Sequence, residues 1–328
     1  MKILKIAAAL LLTLLLLYMT RQNARGRSEF VSVTDNGYTL ELNTVPKVTE
    51  HESDTIIVTL KNPKGIEGQL WFLSSEIKHY TSHKSSPYIE IPMTIMDSLS
   101  GEYAVSVTAG DRGGRIYYYF ELIDRDGKSL AVFKQPNNQP FMLKYIGEVP
   151  PVIIIFHIAF MFATVFCVSM AAVNALQVIG TGKNVHSMMV YTFWATVSTF
   201  MGMIPFGWPM NYYAFNVVWE AVPFGTDATD NKTQLIFVYL LFVTLAGVRS
   251  LFRGKRGRDL YSPRTLGFFG LISFVLMLLI YMIPHSIQFS VSITYTVCYA
   301  FIALVLILYM NGLFRKTPPD EKTPTDLK

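Results

Sequence analysis

The sequence is poor in charged residues and in cysteine, and each shortage excludes a class of protein. Only 16% of the 328 residues are charged and 51% are hydrophobic, whereas a soluble domain normally carries about 25% charge. The two cysteines, Cys167 and Cys298, lie inside apolar runs, which excludes a disulfide framework, a Cys-x-x-Cys redox pair and a zinc knuckle. With a mean hydropathy of +0.34, the chain is expected to be a membrane protein rather than a fully soluble enzyme.

Residues 1–27 have the layout of a secretory signal. Lys2 and Lys5 precede an apolar run from Ile6 to Met19. This run is shorter than the roughly 20 residues that a comfortable membrane span needs, and no small-x-small cleavage site follows it. The pattern leaves two alternatives, a retained signal anchor or a cleaved signal peptide.

Residues 28–148 have the pattern of a β domain. Apolar and polar residues alternate with a period of two in 103–108 and in 116–122, which is typical of strands with one buried face. Turn signals such as Asp126-Gly127 separate the short runs. Seven to nine short strands without helical periodicity therefore predict an antiparallel β-sandwich.

The run from Arg115 to Gly127 reads Arg-Ile-Tyr-Tyr-Tyr-Phe-Glu-Leu-Ile-Asp-Arg-Asp-Gly. It resembles the late hairpin of fibronectin type III and related immunoglobulin-like modules of bacterial envelope membrane proteins. The resemblance implies an immunoglobulin-like (Ig-like) fold for the β domain, and it implies no enzymatic activity.

Residues 149–314 are hydrophobic almost without interruption. We expect an all-α bundle of five transmembrane helices followed by a polar tail over 315–328, so the fold class is an α+β membrane protein. The spans are predicted near residues 152–178, 188–206, 233–251, 266–283 and 291–312.

Basic residues set the expected orientation of this bundle. The connection after the third span contains Arg249, Arg253, Lys255, Arg256, Arg258 and Arg264. By the positive-inside rule this connection faces the cytoplasm. We therefore expect a bacterial-type cytoplasmic (inner) membrane, with the β domain on the extracytoplasmic side and the C-terminus in the cytoplasm. This distribution accounts for the net charge of +5, and no nucleic-acid partner is predicted.

His157 and His285 are the first candidate site. Both are expected near the outer face of the membrane, on different helices, where neutral imidazoles could ligate a b-type haem or a transition metal. The alternative is that His157 hydrogen-bonds a neighbouring helix and His285 lies among the headgroups. Neither histidine has a second one on its own helix, so the two-haem pattern is absent.

The connection from Gly207 to Gln234 is the second candidate site. Its first half is aromatic and predicts a short interfacial helix that covers the outer end of the bundle. Its second half supplies Glu220, Asp227 and Asp230, which could join the histidines in a metal site. The alternative is helix capping, with Asn231 and Gln234 as a capping box for the next span.

The sequence contains no nucleotide-binding motif and no catalytic triad in a suitable context, so a binding protein is expected rather than an enzyme. In the first hypothesis the chain is a binding or scaffold subunit, held by membrane lipid, whose extracytoplasmic domain docks a protein partner. In the second it is a membrane redox or metal-handling protein that uses His157 and His285. A transporter is the third and weaker hypothesis, because the bundle shows neither an inverted repeat nor a charged residue at its midplane.

Overall fold

The computed structural model of the protein describes residues 2–22, 28–61, 68–78, 85–283 and 289–315. The chain divides into two compact units. The first, called the β unit, consists of Arg25–Ile153 together with Trp208–Val218. The second, called the helical unit, consists of Met1–Ala24, Ile154–Gly207 and Trp219–Lys328.

The described part of the β unit contains eleven strands in two sheets. The strands are β1 (Phe30–Asp35), β2 (Tyr38–Asn43), β3 (Lys47–Thr49), β4 (Ser53–Lys61), β5 (Gly68–Ile77), β6 (Ile89–Pro92), β7 (Thr94–Asp97), β8 (Glu102–Thr108), β9 (Arg115–Asp124), β10 (Ser129–Phe133) and β11 (Phe141–Ile146). One sheet has the order β1-β2-β4-β8-β7, and the other has the order β3-β11-β9-β5-β6, with β10 also paired to β9. All of these pairs are antiparallel except β3 with β11.

Alternating side chains from both sheets form one hydrophobic core. In β9 the inward positions Tyr118 and Phe120 are fully buried and pack on Phe72 of β5 and Phe141 of β11, with ring centroids 5.2–6.0 Å apart. Each such ring contributes about 1.5–3 kcal/mol through burial. The predicted β-sandwich is confirmed, with more strands than expected, and Gly127 at φ 80° closes the predicted β9–β10 hairpin.

The described residues outside the strands contain eight helices. They are α1 (Lys2–Gln22), α2 (Pro151–Thr181), α3 (Val185–Met203), α4 (Gly207–Phe215), α5 (Ala228–Ala246), α6 (Val248–Leu251), α7 (Pro263–Met282) and α8 (Val291–Phe314). Ser262 and Ser290 cap α7 and α8 by accepting from the N–H groups of Thr265 and Ile293. Such caps satisfy N–H groups that have no partner within the helix.

Within the described ranges, four stretches of helix are long and apolar enough to cross a membrane, which agrees with the expected membrane protein. They are Pro151–Thr181, Val185–Phe215, Pro263–Met282 and Val291–Phe314. The predicted third span, 233–251, is not among them. Its helix, α5, begins with a polar turn at Ala228, ends at Ala246, and packs against α3, α7 and α8. Its uncharged stretch is therefore short, and many of its side chains are buried within the unit.

The first helix packs into the helical unit. Ala9, Thr13 and Leu16, spaced to lie on one face of α1, are buried, and Leu16 joins a core cluster. Lys5 donates from Nζ to Oδ1 of Asn174 and to Oε1 of Gln177, both at 2.8 Å. The start of α1 therefore lies beside the end of α2.

Candidate functional site

One edge of the β-sandwich leaves apolar side chains uncovered, and we call residues 88–99 the open edge. The chain here passes from one sheet to the other, because β6 is the edge strand of one sheet and β7 is the edge strand of the other. Met93, which lies between them, is buried. Its backbone N–H donates to Leu70 O at 2.9 Å, and its carbonyl accepts from the side-chain Nε2 of Gln69 at 2.8 Å. The crossing is therefore fixed at its midpoint.

Three isoleucines of the open edge lie on the inner faces of the sheets and are nevertheless exposed. Ile91 pairs with Phe72, which belongs to the hydrophobic core. Ile95 pairs with Tyr103 of β8, which packs on that core. Directly paired residues project on the same face of a sheet. Ile89, Ile91 and Ile95 are 58%, 37% and 52% exposed. The core of the sandwich is consequently open at this edge.

The charged residues of the open edge and of the strand that follows it are all acidic. Residues 85–108 contain Glu90, Asp97 and Glu102 and no lysine, arginine or histidine. Asp97 accepts from Ser100 Oγ at 2.7 Å and from Leu99 N at 2.9 Å, and these bonds hold the pKa of its carboxyl below the usual value. Partial burial raises the pKa of Tyr119, and the nearby carboxylates of Glu121 and Glu90 raise it further. One basic residue borders the edge from another strand: Lys134 Nζ lies 5.1 Å from the ring centroid of Tyr119, whose ring packs on Tyr88. An apolar surface whose own charges are acidic favours a ligand that is both apolar and basic.

A second feature of the β unit is the segment Trp208–Val218, which the sequence places between two helices of the other unit. Gly147 N donates to Ala214 O at 2.9 Å, and Arg112 Nη1 donates to Tyr213 O at 3.3 Å. The Arg112 guanidinium also lies 5.0 Å from the ring centroid of Tyr212 and 3.8 Å from Oε1 of Glu50. The β unit therefore binds this segment through backbone and side-chain contacts together.

Two glycines permit this close approach. A Cβ atom at Gly113 would overlap the carbonyl oxygen of Phe215, and one at Gly147 would overlap the carbonyl oxygen of Tyr213. Gly113 also has φ +86°, a conformation that side chains rarely adopt. The segment begins within α4, so the predicted short helix exists, and its backbone packs on the β unit.

Two of the three candidate carboxylates, those of Asp227 and Asp230, and the backbone N–H of Glu220 are engaged in folding the second half of the connection. Asp227 caps α5 by accepting from the N–H groups of Thr229 and Asp230 at 2.8 and 2.9 Å. Asp230 Oδ2 accepts from the backbone N–H of Glu220 at 2.7 Å. The predicted capping box at Asn231 is wrong: α5 begins four residues earlier than expected, because Asp227 supplies the cap.

The residues that follow the cap bind the preceding loop. Asn231 Oδ1 accepts from Val222 N at 3.0 Å, and Gln234 Nε2 donates to Val222 O at 2.9 Å. Cys298 Sγ of α8 also donates to Asn231 Oδ1, at 3.3 Å. Lys232, which is buried, donates from Nζ to Ile283 O at 3.0 Å. This end of the helical unit is therefore a network of satisfied polar groups.

The candidate histidines have separate outcomes. His157 Nδ1 lies 2.9 Å from Gly202 O, which joins α2 to α3 and agrees with the helix-bonding alternative. This bond is also compatible with metal ligation, because ligating histidines commonly donate their other ring N–H to a carbonyl. His285 lies outside the described residues. Within the described ranges, no group of three or more His, Cys, Asp and Glu could hold a metal ion, so the haem or metal site remains a prediction.

Sequence reasoning missed the open edge, although its signal is present. Ile-Glu-Ile-Pro over 89–92 combines period-two alternation with a proline, which is confined to edge strands and bulges within sheets. The docking of Trp208–Val218 on the β unit has a weaker signal, since glycines at 113 and 147 have many other uses.

No protein-family model matches the chain, and no curated protein matches it. Among solved structures, it is similar to a chain described as pT26-6p, with 8% sequence identity and a TM-score of 0.21. The similarity covers 87% of this chain and 49% of that chain, so this chain spans about half the length of the structure it matches.

Proposed function

We propose that the protein is a membrane-anchored binding subunit whose Ig-like β unit docks an extended apolar and basic segment of a partner protein at the open edge. The observation that carries the proposal is the exposure of Ile89, Ile91 and Ile95, which project from the inner faces of the sheets. Covering these side chains with an apolar partner would release water from surface that the sandwich itself leaves uncovered.

An extended segment is the occupant that best fits this surface. Each exposed isoleucine belongs to an edge strand, and β6 and β7 are the last strands of their sheets. Edge strands bind peptides by strand addition, in which the alternate side chains of the peptide enter pockets. Pro92 in β6 and the register shift between Ile95 and Asp97 limit the run of ladder bonds. We therefore expect contacts between apolar side chains, rather than backbone hydrogen bonds, to supply much of the binding free energy.

Charge complementarity selects the partner's polar side chains. Glu90 lies between Ile89 and Ile91, Asp97 lies two residues after Ile95, and no basic residue lies between 85 and 108. A partner strand that alternates apolar residues with Lys or Arg would pair its charges with these carboxylates. An acidic strand would meet like charge, which costs several kcal/mol at an interface.

The helical unit is proposed as the membrane anchor, with the β unit outside the cytoplasm of a bacterial-type cell. Lys5 lies beside the end of α2, and His186 at the start of α3 contacts Ser250 after α5. Arg258 donates to Leu313 O near the end of α8. These contacts gather the basic segments at one end of the helical unit, as the positive-inside rule requires for a cytoplasmic face. The packing of α1 supports its retention as a signal anchor.

The experiment uses the full-length chain in detergent and two fluorescent peptides, Val-Lys-Val-Lys-Val-Lys and Val-Glu-Val-Glu-Val-Glu. We expect the lysine peptide to bind and the glutamate peptide to have a Kd at least about tenfold higher. Fluorescence anisotropy measures both. Replacing Ile91 and Ile95 together by Ser should abolish binding of the lysine peptide. The matched control replaces Ile57 by Ser. Ile57 is exposed on the outer face of β4, away from the core, so this change should leave binding unchanged.

Two results would overturn the docking proposal: equal binding of both peptides, or unchanged binding to the Ile91→Ser/Ile95→Ser variant. Competition by phosphatidylcholine vesicles would instead show that the open edge meets lipid. Orientation is tested separately by Ser98→Cys and Lys255→Cys in intact cells. A membrane-impermeant maleimide should label only the first.

A further inference from the structure

We propose that the folded basic connection between α5 and α7 binds the phosphate groups of anionic phospholipid headgroups. The inference rests on the membrane anchoring proposed above and does not depend on the docking edge. The site consists of residues 249–264 together with His186 and Arg315, and we call it the basic end.

The connection is folded, so its charges are held in place. Gly254 N donates to Arg249 O at 2.8 Å, and Leu260 N donates to Ala246 O at 2.8 Å, which closes the turn onto α5. Positive φ values at Arg253, Gly254 and Gly257 give the turn its shape. Asp259 fixes it further by accepting from Ser250 N at 2.9 Å and from Ser250 Oγ at 2.5 Å.

Several basic side chains of this end are positioned by neighbours that are not acidic. Arg253 Nε donates to His186 Nε2 at 3.0 Å, while His186 Nδ1 lies 3.0 Å from Ser250 O. The guanidinium of Arg256 lies 6.0 Å from the ring centroid of Phe252, and that of Arg315 lies 5.3 Å from the ring centroid of Tyr261. These contacts orient the cations without neutralising them.

Negative charge is scarce among the described residues of the basic end. Asp259 is the only Asp or Glu between 249 and 264, and both of its carboxylate oxygens already accept hydrogen bonds from Ser250. The ion pairs at Glu41, Glu50 and Asp111 lie in the β unit and involve no residue of the basic end. Arg249, Lys255 and Arg256 are exposed, so an external anion can reach them.

The setting favours lipid over a soluble anion. The connection joins the central helix α5 to α7, one of the stretches long and apolar enough to span a membrane. Phe252 is exposed beside the cations. Basic clusters immediately next to membrane helices attract anionic headgroups by about 1 kcal/mol per Lys or Arg, and an exposed aromatic ring suits the headgroup region.

The test is the thermal unfolding of the full-length chain in detergent with added short-chain phosphatidylglycerol, phosphatidylcholine or inorganic phosphate. We expect phosphatidylglycerol alone to raise the Tm. In Lys255→Gln/Arg256→Gln the half-saturating concentration should rise about tenfold or more. Both side chains are exposed, so the variant should fold. The matched control, Lys47→Gln/Lys128→Gln, removes equal charge from exposed positions of the β unit and should keep the response.

Three outcomes would overturn the proposal: an equal response to phosphatidylcholine, a response to inorganic phosphate alone, or an equal loss in the control. The impermeant labelling experiment described above reports independently on membrane insertion. A failure of lipid binding can therefore be told apart from a failure of membrane anchoring.

Discussion

Exposed apolar side chains are distributed differently in the two units, and the difference separates two kinds of surface. In the helical unit they occur along every long helix, including Leu176, Phe268 and Leu304, as expected of a surface covered by lipid. Among the described residues of 28–148 the large exposed ones are Phe30, Ile57, Tyr88, Ile89, Ile91, Ile95, Met96 and Leu99. Six of these eight lie in the open edge, so most of the exposed apolar side chains of 28–148 share one confined surface.

The difference matters because an exposed apolar side chain has an unfavourable free energy in water and not in lipid. An isoleucine that lipid covers loses nothing by pointing outward, whereas Ile89 in the β unit meets water until a partner covers it. Composition alone cannot distinguish these cases. The location of the exposed residues relative to the sheet edges does so, which is why the docking proposal rests on strand register rather than on hydropathy.

The largest expected effect tests whether the open edge is truly outside the core of the β unit. Ile56 of β4 is fully buried and Ile89 of β6 is 58% exposed. Replacing Ile56 by Ala should lower the free energy of unfolding by about 2–5 kcal/mol, because it leaves a cavity. Replacing Ile89 by Ala should change it by less than about 0.5 kcal/mol. Urea titration with pulse proteolysis of the β unit measures both. Comparable losses would show that the edge belongs to the core.

A smaller effect tests how the β unit binds the segment Trp208–Val218. Gly113 and Gly127 both have positive φ, but only at Gly113 would a Cβ atom meet the segment. Gly127→Ala should cost about 1–2 kcal/mol from backbone strain alone. Gly113→Ala should cost about 1–3 kcal/mol more, because it displaces the carbonyl of Phe215, and should expose the segment to protease. Equal cleavage of the two variants would show that the segment is held by something other than this contact.

The sequence predicted local patterns well and long-range partners poorly. The alternation of Ile116, Tyr118 and Phe120 specified β9 and its buried face, since a period of two has one structural meaning. The uncharged runs likewise predicted the four described stretches of helix that are long enough to cross a membrane, whereas the fifth predicted span, 233–251, is not among them. The switch of the chain between sheets at Met93 has no comparable local pattern, because it depends on which distant strands are already paired.

At the candidate site too, local patterns were easier to predict than the distant partners of each residue. Asp227 and Asn231 are both residue types that cap helices, so the sequence did not decide between them. In the structure Asn231 accepts from the N–H of Val222 in the preceding loop, and Asp227 caps the helix. The docking of residues 208–218 on the β unit was likewise not specified by their aromatic composition, which is also typical of a membrane interface.

The smallest expected effect separates helix capping from metal binding at Asp227. Its carboxylate accepts from the N–H groups of Thr229 and Asp230, and loss of such a cap costs about 1 kcal/mol. Asp227→Ala should therefore lower the Tm of the helical unit slightly, while Asp227→Asn, which keeps an acceptor oxygen, should restore most of the loss. A metal ligand behaves differently, because the amide lacks the negative charge that hard cations prefer. If added Mn²⁺ stabilises the wild-type chain and fails to stabilise Asp227→Asn, then Asp227 binds metal and capping is not its main role.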